Sequence, residues 1–190
     1  MILIIDNYDS FTYNLVQYVG SINKHLQVIK NNDLNINQIK KMNLSHIIIS
    51  PGPGHPENTG ICLEVIEQIS PIIPTLGICL GHQAIAFHYN AAIINSHEIV
   101  HGKTSIIKHD NKSLIFNKIP NNFSATRYHS LCVDREFINN DINITSWSED
   151  GEIMSLEHKK YPIYGIQFHP ESILTEHGIQ IIKNFINIIV

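Results

Sequence analysis

Cysteine is scarce in this chain: three residues, odd in number and irregularly spaced, are too few for a disulfide framework and read as reduced thiols. Charge is sparse too. Only 16% of residues are charged and the formal net charge is −4, so 13 Lys+Arg give none of the basic surplus that a general nucleic-acid or anionic-membrane binder needs. A long apolar run is also missing. Met1 to Ile5 is interrupted by Asp6 and follows no charged segment, so neither a signal peptide nor a transmembrane helix can be drawn. The expected location is the cytoplasm, or the plastid stroma if the gene is organellar. Alanine is scarce, whereas isoleucine is about one residue in five and asparagine about one in ten. AT-rich codons would produce that skew, which describes a genome rather than a fold.

What is present excludes disorder: 43% hydrophobic residues over 190 positions can bury a core without disulfides or a structural metal. One domain, 1–190, is expected. Ile2 to Ile5 is a short unbroken apolar run, the mark of a strand buried on both faces. A helix follows it, with Ser10 or Asp9 as cap and Phe11, Leu15, Tyr18 or Val19, and Ile22 at helical spacing. The alternation continues with a strand at Leu26–Lys30, a short helix at Ile36–Met42, a strand at His46–Ser50 and a helix carrying Ile61, Val65, Ile66 and Ile69. A strand at Pro74–Ile78 and a helix at Leu80–His88 follow. Such alternation predicts an α/β fold, a mostly parallel sheet covered by helices on both faces. Beyond Ala91 the pattern turns strand-like at Thr104–Lys108, Ser113–Phe116, Asn143–Trp147, Met154–Glu157 and Tyr164–Phe168, which predicts antiparallel additions. A closing helix at Glu176–Ile189 is expected to turn Ile179, Ile182, Phe185, Ile186 and Ile189 inward.

Gly77-Ile78-Cys79-Leu80-Gly81 matches the small-x-nucleophile-x-small elbow with cysteine as nucleophile. Its context is a buried strand before and an apolar helix after, so Cys79 would stand on a sharp turn at the carboxyl end of a parallel strand. The helix N-terminus there favours thiolate over thiol. Cys62 and Cys132 have no such setting and read as packed thiols. A thiolate nucleophile needs a base and the base an orienting group. In His169-Pro170-Glu171 the first and third side chains share one side of an extended segment, so Glu171 can orient His169. His158 beside Glu157 reads as solvated surface. Pro51-Gly52-Pro53-Gly54 follows a buried strand without the Gly-Lys-Ser/Thr of a phosphate loop. It reads either as a rigid turn or as an oxyanion loop in which the Gly54 N–H joins that of Leu80. Pairs such as His97 with His101 or His82 with His88 lack zinc-site spacing, and no metal is expected.

Together these residues resemble the class I glutamine amidotransferase family along essentially the whole chain. The matching segments are Ile5–Thr12, Ser50–Gly54, Gly77–Gln83, His101–Ser105, Tyr128–Leu131 and Gln167–Ser172. The resemblance implies a flavodoxin-like architecture and glutamine hydrolysis through a thioester at Cys79, with His169 as base and acid and Glu171 orienting it. It places glutamine on Gly52, Pro53, Gly54, Leu80, Gln83, Ser130 and Leu131. It further implies ammonia delivery to a chorismate-using synthase subunit, for anthranilate in tryptophan biosynthesis, for aminodeoxychorismate in folate biosynthesis, or for both. No cofactor is expected here, while the partner synthase is expected to use Mg2+. His101–Ser105 reads equally well as an exposed turn, and Asn90-Ala91 stands where the family commonly has Gly-Gly, Asn being able to take the left-handed cap. A non-catalytic regulatory member of the fold would lack the nucleophile or the base, and both are present. A self-contained thiol hydrolase is the remaining alternative.

Overall fold

The computed structural model describes residues 1–136 and 139–189, without the side chains of 97–101, so the His97–His101 pair lies outside the described residues. The strands are β1 (Ile2–Asp6), β2 (Leu26–Lys30), β3 (His46–Ile49), β4 (Thr75–Ile78), β5 (Ile93–His109), β6 (Phe123–Val133), β7 (Ile142–Ser148), β8 (Ile153–His158) and β9 (Ile163–Ile166). The helices are α1 (Thr12–Ile22), α2 (Ile36–Ile39), α3 (Cys62–Gln68), α4 (Leu80–His88) and α5 (Gly178–Ile186). Among the described residues the strands form one sheet in the order β2-β1-β3-β4-β9-β8-β7-β5-β6. The pairs from β2 to β9 are parallel. The pairs from β9 to β6 are antiparallel.

The pleat of β1 explains why helices cover both faces. Ile2 and Ile4 enter a core with Leu15 and Val19 of α1 and Ile181, Ile182 and Phe185 of α5. Leu3 and Ile5 enter the opposite core with Val65 and Ile66 of α3 and Ala84 and Ile85 of α4. Each such buried aliphatic side chain contributes about 1.5–3 kcal/mol. A strand with no polar side is stable only between two layers, and the α/β prediction holds for that reason.

Several local expectations are corrected. Phe11, not Ser10 or Asp9, occupies the cap position of α1, and no side chain caps it. Asp6 instead accepts from the Asp9 N–H at 3.1 Å and the Thr12 hydroxyl at 2.9 Å, so the polar turn after β1 folds back on the strand end. Helix α2 stops at Ile39, short of Met42, although Asn35 and Gln38 form a reciprocal capping box. Ser113–Phe116 is not a strand, and Leu114–Phe116 is a single 3-10 turn. The segment 101–105 is strand rather than turn. Helix α5 is shorter than expected and buries Ile181, Ile182 and Phe185, while Ile179 and Ile189 face outward. His158 is buried, its Nδ1 accepting from the N–H groups of Lys160 and Tyr161, both at 3.0 Å. Strand β9 pairs parallel with β4 and antiparallel with β8, joining the two halves. Asn90 takes φ 60°, as the left-handed cap requires.

His82, on α4, is fully buried against β9, and neither ring nitrogen has a side-chain hydrogen bond among the described residues. Burial pushes its pKa down to about 4 from the ordinary 6.5, the Gly165 backbone opposing in part. Because the folded state holds the ring neutral, the unfolded chain takes up the proton first once pH drops below about 6.5. The contribution of the neutral His82 to stability is therefore complete above that pH and falls by about 3 kcal/mol as pH drops to about 4. Urea unfolding between pH 4 and 8 should show this slope, and His82→Leu should make it shallower. An unchanged slope in the variant would remove His82 as its source.

Candidate active site

Cys79 is the single residue between β4 and α4, with φ 51° and ψ −102°, a conformation that ordinary residues avoid. The surroundings enforce it. Its N–H donates to the Ile166 carbonyl at 2.8 Å. A Cβ on Gly77 would lie 2.3 Å from the Gly81 carbonyl oxygen, and one on Gly81 would lie 2.4 Å from that of Ile49. Only glycine lets α4 sit this close to the sheet, which is why the elbow is flanked by small residues.

Strand β9 ends at Ile166 rather than Phe168, and His169-Pro170-Glu171 is a turn rather than the expected extended segment, the Ser172 N–H donating to the His169 carbonyl at 3.3 Å; the turn still brings His169 Nδ1 to 2.6 Å from Glu171 Oε1. The His169 N–H donates to the Thr126 carbonyl at 3.0 Å, and the Thr175 hydroxyl donates to the His169 carbonyl at 2.6 Å. The rings of Phe11 and Tyr128 meet the imidazole edge-on at 5.8 and 5.1 Å. Burial works against the imidazolium, but hydrogen bonding and charge from Cys79 and then Glu171 outweigh it and hold the His169 pKa well above the ordinary histidine value. Cys62, by contrast, is fully buried, and burial pushes its thiol up to about 12. Burial likewise pushes the Cys132 thiol up to about 12. Both fit the inert reading.

Two cavities meet at Cys79. One, of about 170 Å³, is lined by Gly52, Pro53, Gly54, Gln83, Ser130 and Leu131 together with Cys79, Tyr128 and His129. The other, of about 380 Å³, is lined by Tyr8 to Phe11, Pro51 to Pro53, Tyr128, His169 and Cys79. The expected substrate residues thus converge on the first cavity, except Leu80. That side chain is buried beside Gly52, and what Leu80 can offer is its N–H at the first position of α4. The loop 51–54 is held at its root by Asn7, whose N–H and side-chain amide donate to the Ser50 hydroxyl and carbonyl at 2.8 and 3.0 Å. Among the described residues no group of three or more His, Cys, Asp or Glu is placed to hold a metal ion.

The sequence reading missed a buried polar layer beneath the first cavity. Gln167, fully buried, places its amide nitrogen 3.5 Å from Cys79 Sγ and its oxygen 3.1 Å from Gln83 Nε2. Gln83 also donates to the Leu131 carbonyl at 2.8 Å. That carbonyl lies 3.0 Å from His129 Nδ1, and His129 Nε2 accepts from Arg127 Nε at 3.0 Å. Arg127 is buried and pairs with Glu152 and Asp150. A signal for Gln167 was available: it is the first residue past β9, at the same strand end from which His169 emerges. The Arg127–Glu152 pair is separated by 25 residues and left no local trace.

A cysteine thus stands on a strand-turn-helix elbow of an α/β fold, at the carboxyl edge of a parallel sheet and near a carboxylate-held histidine, an arrangement chemically suited to a thiol nucleophile with a base. The family model for glutamine amidotransferase class-I matches residues 3–189. This chain belongs to the class I glutamine amidotransferase family. It is 51% identical over 98% of its length to anthranilate synthase component 2 of Cyanophora paradoxa, covering 98% of that protein. It is 46% identical over 98% of its length to the aminodeoxychorismate/anthranilate synthase component 2 of Bacillus subtilis, covering 95% of it. It also matches the bifunctional protein TrpGD of Thermotoga maritima at 48% identity over 98% of its length, and there it spans only 32% of the longer protein. The fold is shared with a Thermoplasma acidophilum protein assigned to GMP synthase, at TM-score 0.85 and 23% identity, covering 97% of this chain and 91% of that one.

Because the elbow has no room for a methyl group, Gly81→Ala should destabilise the protein by roughly 1–3 kcal/mol. It should also slow alkylation of Cys79. Denaturant melts and mass spectrometry of the Cys79 peptide check both, and a variant with unchanged melt and labelling would show that α4 can shift freely.

Proposed function

We propose that this chain is the glutamine-hydrolysing subunit of an anthranilate synthase, releasing ammonia for a chorismate-using partner. The observation that carries the proposal is the position of Cys79 at the junction of two cavities. One is a polar cradle fit for glutamine, and the other opens past His169 toward the exposed Tyr8, fit for release of the product ammonia. A hydrolase acting alone needs only the first. The names of the relatives support the choice of partner.

In this reading the Cys79 thiolate attacks the side-chain amide carbon of glutamine, and the carbonyl electron pair moves to oxygen. The oxyanion meets the N–H groups of Leu80 and Gly54. Collapse of the tetrahedral intermediate breaks the C–N bond, and the His169 imidazolium gives its Nε2 proton to the departing nitrogen. Ammonia and a glutamyl thioester result. A water then attacks the thioester and returns a proton to Nε2, freeing glutamate and the thiolate. Glu171 holds Nδ1 throughout, which suits the raised His169 pKa. No cofactor enters these steps, and any Mg2+ requirement falls on the partner. A second reading, in which the same chain serves aminodeoxychorismate synthesis as well, is favoured by the likeness to the Bacillus subtilis protein, whose name joins both activities.

Cys79→Ser should abolish glutamine-dependent anthranilate formation by the copurified pair, while formation from added ammonia persists. Equal loss with both nitrogen sources would assign Cys79 to fold or interface instead. His169→Ala should lower glutaminase activity by about 10²–10⁴-fold, and Glu171→Gln should retain more activity, because a misoriented imidazole is still a base. Normal turnover in His169→Ala would remove it from the mechanism. Hydrolysis by the isolated chain should be slow and should rise on partner binding, since ammonia released into water is mostly protonated and lost as a nucleophile. A glutaminase rate unchanged by saturating partner would leave a free-standing hydrolase as the better reading.

A further inference from the structure

We propose that Gln167 is a further catalytic residue, whose side-chain amide donates to Cys79 Sγ and holds the sulfur ready as a thiolate between turnovers. The inference rests on the reading of Cys79 as nucleophile. It stands on hydrogen-bond direction. The Leu131 carbonyl can only accept, so the Gln83 atom 2.8 Å from it is the amide nitrogen. That same nitrogen lies 3.1 Å from the Gln167 side chain, so the Gln167 atom facing it is the oxygen. The Gln167 nitrogen is left facing Sγ, at 3.5 Å. The amide is thereby prevented from turning its oxygen toward the sulfur.

The next links fix the arrangement more firmly. Arg127 can only donate, so His129 Nε2 accepts its Nε–H, and the His129 proton sits on Nδ1, directed at the same Leu131 carbonyl. Burial and the Arg127 charge push the His129 pKa down to about 3, in keeping with a ring that stays neutral. Arg127 is in turn anchored by Glu152 and Asp150. Two sets of hydrogen bonds therefore meet at the Leu131 backbone carbonyl: His129, set by Arg127, holds that carbonyl in place, and the carbonyl in turn sets the orientation of Gln83 and Gln167.

The groups facing Sγ are the His169 imidazole, the Tyr128 carbonyl at 3.9 Å and the Gln167 amide. A carbonyl opposes negative charge on sulfur. The imidazolium stabilises that charge but must surrender its proton during each turnover. An amide donor is unaffected by that transfer, and Gln167 is fully buried, so water does not compete for its N–H. Its contribution is present at the start of every cycle.

The test measures the full pH profile of Cys79 alkylation by iodoacetamide, followed by mass spectrometry of the Cys79 peptide. The midpoint of the Gln167→Met profile should lie about one pH unit above that of the wild type, a tenfold change in the thiolate-to-thiol ratio and the size expected for losing a hydrogen bond to a charged group, with a plateau rate no lower than that of the wild type. In Gln167→Glu the midpoint should move further still, because a carboxylate would face the sulfur. A merely structural amide would alter melting temperature without this change in the pH profile. In the unaltered chain the side-chain NH2 signal of Gln167 should move with pH along the alkylation curve, and it should cease to do so in Cys79→Ala. This measurement decides the matter even if Gln167→Met fails to fold. A wild-type midpoint in both folded variants, or an NH2 signal indifferent to the sulfur, would overturn the proposal. If instead these results are obtained while wild-type protein with its synthase partner shows no glutaminase activity, the Gln167 contact stands and the glutamine reading alone falls.

Discussion

The seating of α4 on the parallel sheet leaves no space for a methyl group between the Gly81 backbone and the Ile49 carbonyl, or between Gly77 and Gly81. This close approach determines the turn that joins β4 to α4, and hence the left-handed backbone of Cys79. From that position the sulfur reaches across β4 to its neighbour β9, where Gln167 and His169 emerge. If α4 stood further out, by the width of a side chain, the cysteine would lose its alignment with both. The strain at one residue is maintained by packing contributed by three strands and a helix.

The parallel half of the molecule was legible in the sequence because β1, β3 and β4 are dry on both faces and α1 and α3 bury one side only, patterns that survive in a short window. The elbow was legible for a related reason: its steric demand is met by two glycines within two residues of Cys79. The antiparallel half was harder to read. Ser113–Phe116 has the composition of a strand, yet it closes into a 3-10 turn because Asp110 accepts from the backbone N–H groups of Lys112 and Ser113 at 2.9 and 3.4 Å. The short reach of α5 was invisible for another reason: Ile179 and Ile189 satisfy the apolar pattern and still face outward, and composition alone does not say which isoleucines a core has room for.

The site itself divides in the same way. Cys79, His169 and Glu171 announce themselves through local spacing, and the cradle residues come from segments whose strand ends can be placed by eye. The polar layer that holds them comes from distant parts of the chain. Thr126 on β6 receives the His169 backbone, Arg127 beside it meets Glu152 on the turn into β8, and neither contact has a periodicity to betray it. The antiparallel half is therefore more than an edge to the sheet, for it provides the wall against which His169 is held.

The unusual composition also finds its place in this architecture. Mutational pressure toward AT-rich codons pushes a protein toward isoleucine and asparagine whatever the chain needs. In this chain both residue types have somewhere to go. Strands buried on both faces accept a β-branched side chain at nearly every position, as the Ile47–Ile49 run of β3 shows. Asparagine settles at 90, 111 and 122, turns of left-handed backbone that it tolerates better than other side chains bearing a Cβ. A fold with a dry central sheet and many tight turns can thus absorb a nucleotide bias that would erode one built on alanine-rich helices, and its chemistry is left to a few positions where the bias has no purchase.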